Sequence, residues 1–304
     1  MDDRLALTHV LTENLIQEMI KALALPETET IRRIIGSLLG GAIQRFTDLA
    51  AELDRVVAQD GLAGGARWLL PRFVRTHSAH GIENIPAEGP LLIASNHPAF
   101  VDSLLISAHI PRRDYKVIIG EIPFFQHLPN LSENAVFAPS PNDPMGRMQV
   151  VREVIRHLQR SGAILIFPRG SIEPDPAWMP RPDAEFDHWS RSLEIFLKHV
   201  PQTQVLVTMV SGVISRAAMR HPITWFRRAR PDRQRLAFIY QFIRQMVAGR
   251  ELFGLTPRVT FGDLVRVEGS TSREHMLQTI TDSAHKVLEA HRAPQLSHVA
   301  GGSL

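Results

Sequence analysis

Two residues able to do acid–base chemistry stand close together in LLIASNHPAFVD, residues 91–102. They are His97 and, after four intervening residues, Asp102. A carboxylate hydrogen-bonded to one imidazole nitrogen fixes the tautomer and leaves the other nitrogen as a base. That requires the two side chains to face each other. The apolar run Leu91-Leu92-Ile93-Ala94-Ser95, set off by Gly89-Pro90, reads as a buried strand that ends at Asn96-His97. Asp102 then opens a helical apolar pattern of Leu104, Leu105, Ile106 and Ala108. A His at a strand end and an Asp one helical turn further on can meet. With 14 His in the chain, one such spacing can also arise by chance, and a strand-end His can simply be a satisfied cap. Position favours chemistry, because sites in doubly wound sheets lie outside the carboxyl ends of strands.

Two more loops have that placement. Pro168-Arg169-Gly170-Ser171 follows the apolar run 163–167, and Ser211-Gly212 follows VLVTMV. Glycine allows close backbone approach, and an Arg beside it suits an anionic group. The stretch from Arg216 to Arg250 is Arg-rich, and within it Trp225 and Phe226 precede Arg227 and Arg228. It reads as a solvated face or as a dock. A dock would serve anionic lipid headgroups, where each cation is worth about 1 kcal/mol and Trp suits the interface. After lipid headgroups, coenzyme A phosphates or an acidic acyl carrier protein come next as its ligands. No nucleic-acid partner is expected, since no reading module accompanies the charge. The absence of Cys removes disulfides, thiolate–metal sites and a cysteine acyl-enzyme. No His-Glu-x-x-His spacing occurs, so no metal site is expected.

An α/β frame must position these residues. From His80 onward, short apolar runs alternate with helices. The candidate strands are 91–95, 115–119, 135–138, 163–167, 205–210 and 259–265, as in a largely parallel or mixed sheet flanked by helices. Asp143-Pro144 opens a helix that should bury Met148, Val151, Val154, Ile155 and Leu158 and turn Arg147, Arg152, Arg156 and Arg160 outward, with Gly162 as its stop. Residues 1–75 read as an N-terminal helical domain. One helix carries Leu11, Leu15, Ile16 and Ile20, and Pro26 breaks it. A second should place Ile31, Ile34, Ile35, Leu38, Leu39, Ile43, Phe46, Leu49 and Leu53 on one side. Its apolar centre, with Gly36 and Gly40, is either packed closely on a neighbour or interfacial. Residues 61–65, GLAGG, read as a hinge or linker. Residues 76–293 form the α/β domain, and 294–304 are expected to be a disordered tail.

The chain has 304 residues, 44% of them hydrophobic, which is ample for a packed core. Net charge is +3, and Arg far outnumbers Lys, which favours bidentate binding of phosphate or carboxylate. MDDRLALTHV lacks a basic region followed by an apolar one, so no secretory signal is expected, and no apolar run approaches the roughly 18 residues that span a bilayer. A cytoplasmic location is expected, either soluble or peripheral on the inner membrane face.

With these stretches assembled, the chain resembles the phospholipid/glycerol acyltransferase superfamily, the PlsC-like lysophospholipid and glycerol-3-phosphate acyltransferases. HGIENIPAEGPLLIASNHPAFVD is similar to that family's entry strand and its His-x4-Asp motif. IFPRGS resembles its Phe-Pro-Glu-Gly-Thr block, VLVTMVSGV its later apolar block, and PRVTFGDLV a strand that often closes the domain. The likeness covers about residues 78–268. The chain departs from the pattern in having Arg169 where the family has Glu, and Ser171 for Thr. It also has no Arg at the end of the middle block, 135–140, where the family binds the acceptor's phosphate.

The resemblance implies the fold of the glycerol-3-phosphate acyltransferases, behind a helical N-terminal domain. It implies transfer of a fatty acyl group from acyl-CoA or acyl carrier protein to a hydroxyl of glycerol 3-phosphate or a lysophospholipid. His97 would be the base and Asp102 its orienting partner, without an acyl-enzyme or a bound cofactor. Gly170 and Ser171 would meet the acceptor phosphate or the oxyanion, and Lys116, Arg147 or Arg169 would replace the missing Arg. Two alternatives remain open: an unphosphorylated or amine acceptor, and a catalytically degenerate lipid- or acyl-binding protein.

Overall fold

The structure, a computed structural model, describes residues 10–17, 20, 25–139, 142–266 and 273–293. The expected tail, 294–304, lies outside them. Seven strands form one sheet: β1 (Ser78–His80), β2 (Leu91–Ser95), β3 (Tyr115–Gly120), β4 (Ala135–Ala138), β5 (Ala163–Ile166), β6 (Gln204–Ser211) and β7 (Arg258–Arg266). Their order across the sheet is β1-β7-β6-β2-β5-β3-β4. β2 through β6 are parallel, whereas β7 runs antiparallel to β6 and carries β1 parallel to itself, so the sheet is mixed.

β2 lies between β6 and β5 and is buried along its whole length. Its side chains alternate between two cores. Leu91 and Ile93 join Leu165, Leu206, Leu69, Phe73 and Leu105 on one face. Leu92 and Ala94 join Ile164, Val205 and Val207 on the other. That second face is covered by α6 (Pro144–Gln159), α7 (Ser192–His199) and α10 (Arg273–Arg292). Coverage of both faces is why the strand sequences are continuous apolar runs rather than alternating ones.

The first face is covered from the N-terminal side of the chain. Residues 10–17 are helical (α1), and α2 runs Glu29–Leu69. Thr28 caps α2, its hydroxyl accepting from the Ile31 N–H at 3.3 Å. Phe46, Leu49, Leu53, Ala66 and Leu69 of α2 pack into the sheet's own core. Residues 61–65 do not form a linker. They continue α2 across a kink at Gly61, whose φ of 71° is open to glycine at little cost. Neither Gly36 nor Gly40 marks a close helix approach: a Cβ on Gly36 would make only ordinary contact with Ile16, and one on Gly40 would meet open space. The apolar stripe is also narrower than its sequence suggests, since Ile34 and Leu38 are exposed.

Elsewhere the elements match their sequence signals with local exceptions. Asp143 caps α6 by accepting from the Gly146 N–H at 2.9 Å. Met148, expected inside, is exposed. At the far end of α6 the left-handed residue is Ser161 (φ 64°), not Gly162, where a side chain would run into the His157 ring.

Candidate active site

Three loops at the carboxyl edge of the sheet converge on His97. β2 hands over to its loop through Asn96, whose side chain brackets Val210 of β6. The amide donates to the Val210 carbonyl at 2.9 Å and accepts from its N–H at 2.8 Å. α3 (Val101–Ser107) then starts at once. Asp102, fully buried, accepts from the Ala99 N–H (3.0 Å) and the Ser103 N–H (2.6 Å). Its Oδ2 also lies 2.9 Å from His97 Nδ1. His97 Nε2 has no hydrogen-bond partner among the described residues, and the side chain keeps 27% of its surface exposed. Phe167, at the end of β5, stacks on the ring at 4.2 Å between centroids. Burial disfavours charge on His97, but Asp102, with the charge of Glu173 added, outweighs it and raises the imidazole above its ordinary value.

The loop after β5 contains a second acid that the sequence did not flag. Glu173 is 1% exposed. Its Oε2 accepts from the His97 N–H at 2.9 Å, its own N–H donates to the His97 carbonyl at 2.9 Å, and Trp189 Nε1 donates to Oε1 at 3.0 Å. Gly170 turns that loop with φ 65°, its N–H donating to the Phe167 carbonyl at 3.0 Å. Ser171 makes no hydrogen bond among the described residues. Asp175 accepts from the N–H groups of Gly212, Val213 and Ile214, tying this loop to the one after β6. Ser211 bonds His291 of α10 at 2.7 Å, and its side chain is spent there.

The cations separate into near and far. Arg169 Nε donates to Glu185 Oε2 at 2.8 Å. The other oxygen of Glu185 accepts from Arg230 at 2.6 Å, in the first turn of α9 (Arg230–Ala248). Gln234 of α9, fully buried, donates to the carbonyls of both Pro98 and Glu173 at 2.7 Å. Part of the Arg-rich stretch is therefore built into the site wall. Lys116, by contrast, pairs in register with Ile164, which pairs with Leu92, so it sits toward the amino end of β3, away from His97. It is not brought to the site. Arg147 is exposed in the first turns of α6, after edge strand β4. Three strand spacings, roughly 14 Å, separate that strand from β2. Trp225 and Phe226 are 69% and 82% exposed, next to half-buried Arg227 and exposed Arg228.

A small apolar hollow adjoins Phe100, two residues before Asp102. Phe46, Leu49 and Leu53 of α2 line it with Phe73, Phe100 and Phe124.

The site thus consists of a His–Asp pair at the carboxyl end of a central parallel strand, with the second imidazole nitrogen unbonded among the described residues and an apolar hollow beside it. Residues 77–192 match the family model described as Acyltransferase. The likeness to that family lies in this segment, which holds His97, Asp102 and Glu173. Among solved structures the chain is similar to the 1-acyl-sn-glycerophosphate (LPA) acyltransferase PlsC from Thermotoga maritima. The identity is 16%, over 97% of this chain and 100% of that one, with a TM-score of 0.47. No curated protein matches the chain.

Proposed function

We propose that this chain moves a fatty acyl group from an acyl thioester, acyl-CoA or acyl carrier protein, to a hydroxyl of glycerol 3-phosphate or a lysophospholipid. The observation that carries the reading is the 2.9 Å contact of His97 Nδ1 with buried Asp102, which leaves Nε2 facing an accessible site. Nε2 takes the hydroxyl proton as the oxygen attacks the thioester carbonyl. The C–S bond breaks, and the imidazolium returns the proton to the leaving sulfur. Asp102 holds the tautomer and stabilises the imidazolium. A base so placed is worth about 10²–10⁴ in rate. The acyl group passes directly, since no nucleophile elbow is present and Cys is absent. The apolar hollow beside Phe100 supports binding of the acyl tail.

Two guanidiniums, Arg169 and Arg230, share the single carboxylate of Glu185, and the surplus positive charge supports an anionic acceptor near Ser171. A second reading, an unphosphorylated or amine acceptor, draws support from the remoteness of Lys116 and Arg147 and from the ion pair that already engages Arg169. For location, the exposed Trp225-Phe226 pair beside Arg227 and Arg228 supports peripheral docking on an anionic membrane face. No helix among the described residues is long and apolar enough to cross a membrane.

The test is release of free coenzyme A from palmitoyl-CoA in the presence of glycerol 3-phosphate, lysophosphatidic acid, monoacylglycerol or a long-chain amine. Turnover with the phosphorylated acceptors that disappears in His97→Ala is expected. Turnover that persists in His97→Ala removes the mechanism. Acyl binding without turnover on any acceptor turns the reading to a lipid-binding protein.

A further inference from the structure

Glu173 has no part in the chemistry just described, yet it is among the most constrained residues of the molecule. It grips the His97 peptide at both ends, accepting from its N–H through Oε2 and donating its own N–H to its carbonyl, each at 2.9 Å. Trp189 holds the remaining carboxylate oxygen at 3.0 Å, inside the core beneath α7. Gln234 closes the arrangement from α9 by donating to both the Pro98 and the Glu173 carbonyls. The loop bearing His97 therefore cannot shift against the loop after β5 without breaking several buried hydrogen bonds, each costly to leave unmade.

The charges that act on His97 come from three directions. Asp102 on α3 and Glu173 favour a positive ring, and Arg235 on α9 opposes it. Glu173 in turn faces Glu185, and Arg230 and Arg169 sit on that carboxylate.

We infer that Glu173 is a positioning residue for His97: it fixes the backbone of the base and adds a second negative charge close to the ring, so that the imidazolium formed during transfer is stabilised by Glu173 as well as by Asp102. The inference rests on the reading of His97 as the base. Burial raises the Glu173 carboxyl, and its bonds to the His97 N–H and to Trp189, with the charge of His97, offset part of that and leave it at about 7. A proton arriving on His97 thus favours the carboxylate form of Glu173 at the moment that form is useful.

The experiment follows His97 directly by ¹⁵N NMR of the labelled full chain, with its ring signals assigned by their loss in His97→Ala. In Glu173→Gln the His97 pKa should fall by about half to one unit, the direction expected for removal of a nearby negative charge. Trp189→Phe removes one hydrogen bond to the carboxylate and should shift it the same way by less. Glu173→Asp should restore most of the wild-type value. The acid limb of kcat/KM for palmitoyl-CoA with lysophosphatidic acid should move with the NMR value. A His97 pKa unchanged in Glu173→Gln, with near-UV circular dichroism intact, reduces Glu173 to a brace and overturns the inference. If Glu173→Gln does not fold, an unshifted His97 in Trp189→Phe overturns it instead. Persistent turnover in His97→Ala would defeat the base reading while leaving the NMR result interpretable.

Discussion

Arg169 Nε donates to Glu185 Oε2 at 2.8 Å, so the residue that stands where the acyltransferases this chain resembles have a Glu is itself held by one. Two acids lie in this region instead. Glu173 lies under His97, and Glu185 lies across the loop between Arg169 and Arg230. The Arg169–Glu185 pair is partly exposed, with side-chain accessibilities of 33% and 16%. Pairs of this kind contribute little to stability, about 0–1 kcal/mol. Arg169→Ala should leave the melting temperature nearly unchanged but raise KM several-fold for lysophosphatidic acid and not for monoacylglycerol. Steady-state kinetics on the two acceptors checks it.

Asp102→Asn keeps the shape of the pair and removes its charge. Turnover should fall by about 10²–10⁴. The pH profile should move as well. On the proposed reading the base works when neutral, and Asp102 raises the His97 pKa against the effect of burial, which holds the acid limb at higher pH. Without that charge the limb should move to lower pH. A profile of kcat/KM from pH 5 to 9 in both proteins shows the direction.

His291 gives a stability prediction with a defined sign. It is buried between Ser211 and Thr260, and burial, with help from Arg258, lowers its pKa to about 4. The unfolded chain therefore binds more protons than the folded one between pH 6.5 and 4. Stability is fully present above 6.5 and is lost as pH falls through this window, by on the order of 3 kcal/mol. Urea denaturation at pH 7 and 5 should show a smaller loss in His291→Gln than in the wild type.

The hollow beside Phe100 predicts donor selectivity. Leu49→Trp places bulk in its wall, and each methylene kept out of an apolar site is worth roughly 0.8 kcal/mol. Preference should shift from palmitoyl toward decanoyl thioesters by about tenfold or more, with little change in kcat on the short donor. A series of acyl-CoA chain lengths tests it.

Trp225→Ala with Phe226→Ala should weaken sedimentation with vesicles containing phosphatidylglycerol while leaving turnover on soluble short-chain substrates intact. Binding in the wild type should fall as salt rises, because surface charges are screened within about 10 Å at 0.1 M. Equal sedimentation with neutral and anionic vesicles would remove the docking reading.

The sheet was legible because its strands are covered on both faces, which leaves continuous apolar runs in the sequence. Only β1 escaped notice, being three residues long. His97 and Asp102 were legible because they meet across a short local span, from a strand end to the next helix. Glu173 was not. It lies in irregular chain where no period applies, and its partners, His97 and Gln234, are distant in sequence. Met148 shows the limit of a helical stripe: residue type marks which side is apolar, but not which turns have a neighbour. Lys116 was misjudged because strand position, and so the end of the sheet a residue occupies, depends on register that the sequence does not display.

The kink at Gly61 folds one long helix into two arms, and the first reaches over the hollow with Phe46, Leu49 and Leu53. These residues precede the segment that matches the acyltransferase family, whereas His97, Asp102 and Glu173 all lie within it. On the proposed reading, the ruler for the fatty chain and the machinery for the transfer are inherited on separate stretches of polypeptide. On that reading a substitution in the first helix can change which chain length is accepted while His97 and its partners stay untouched.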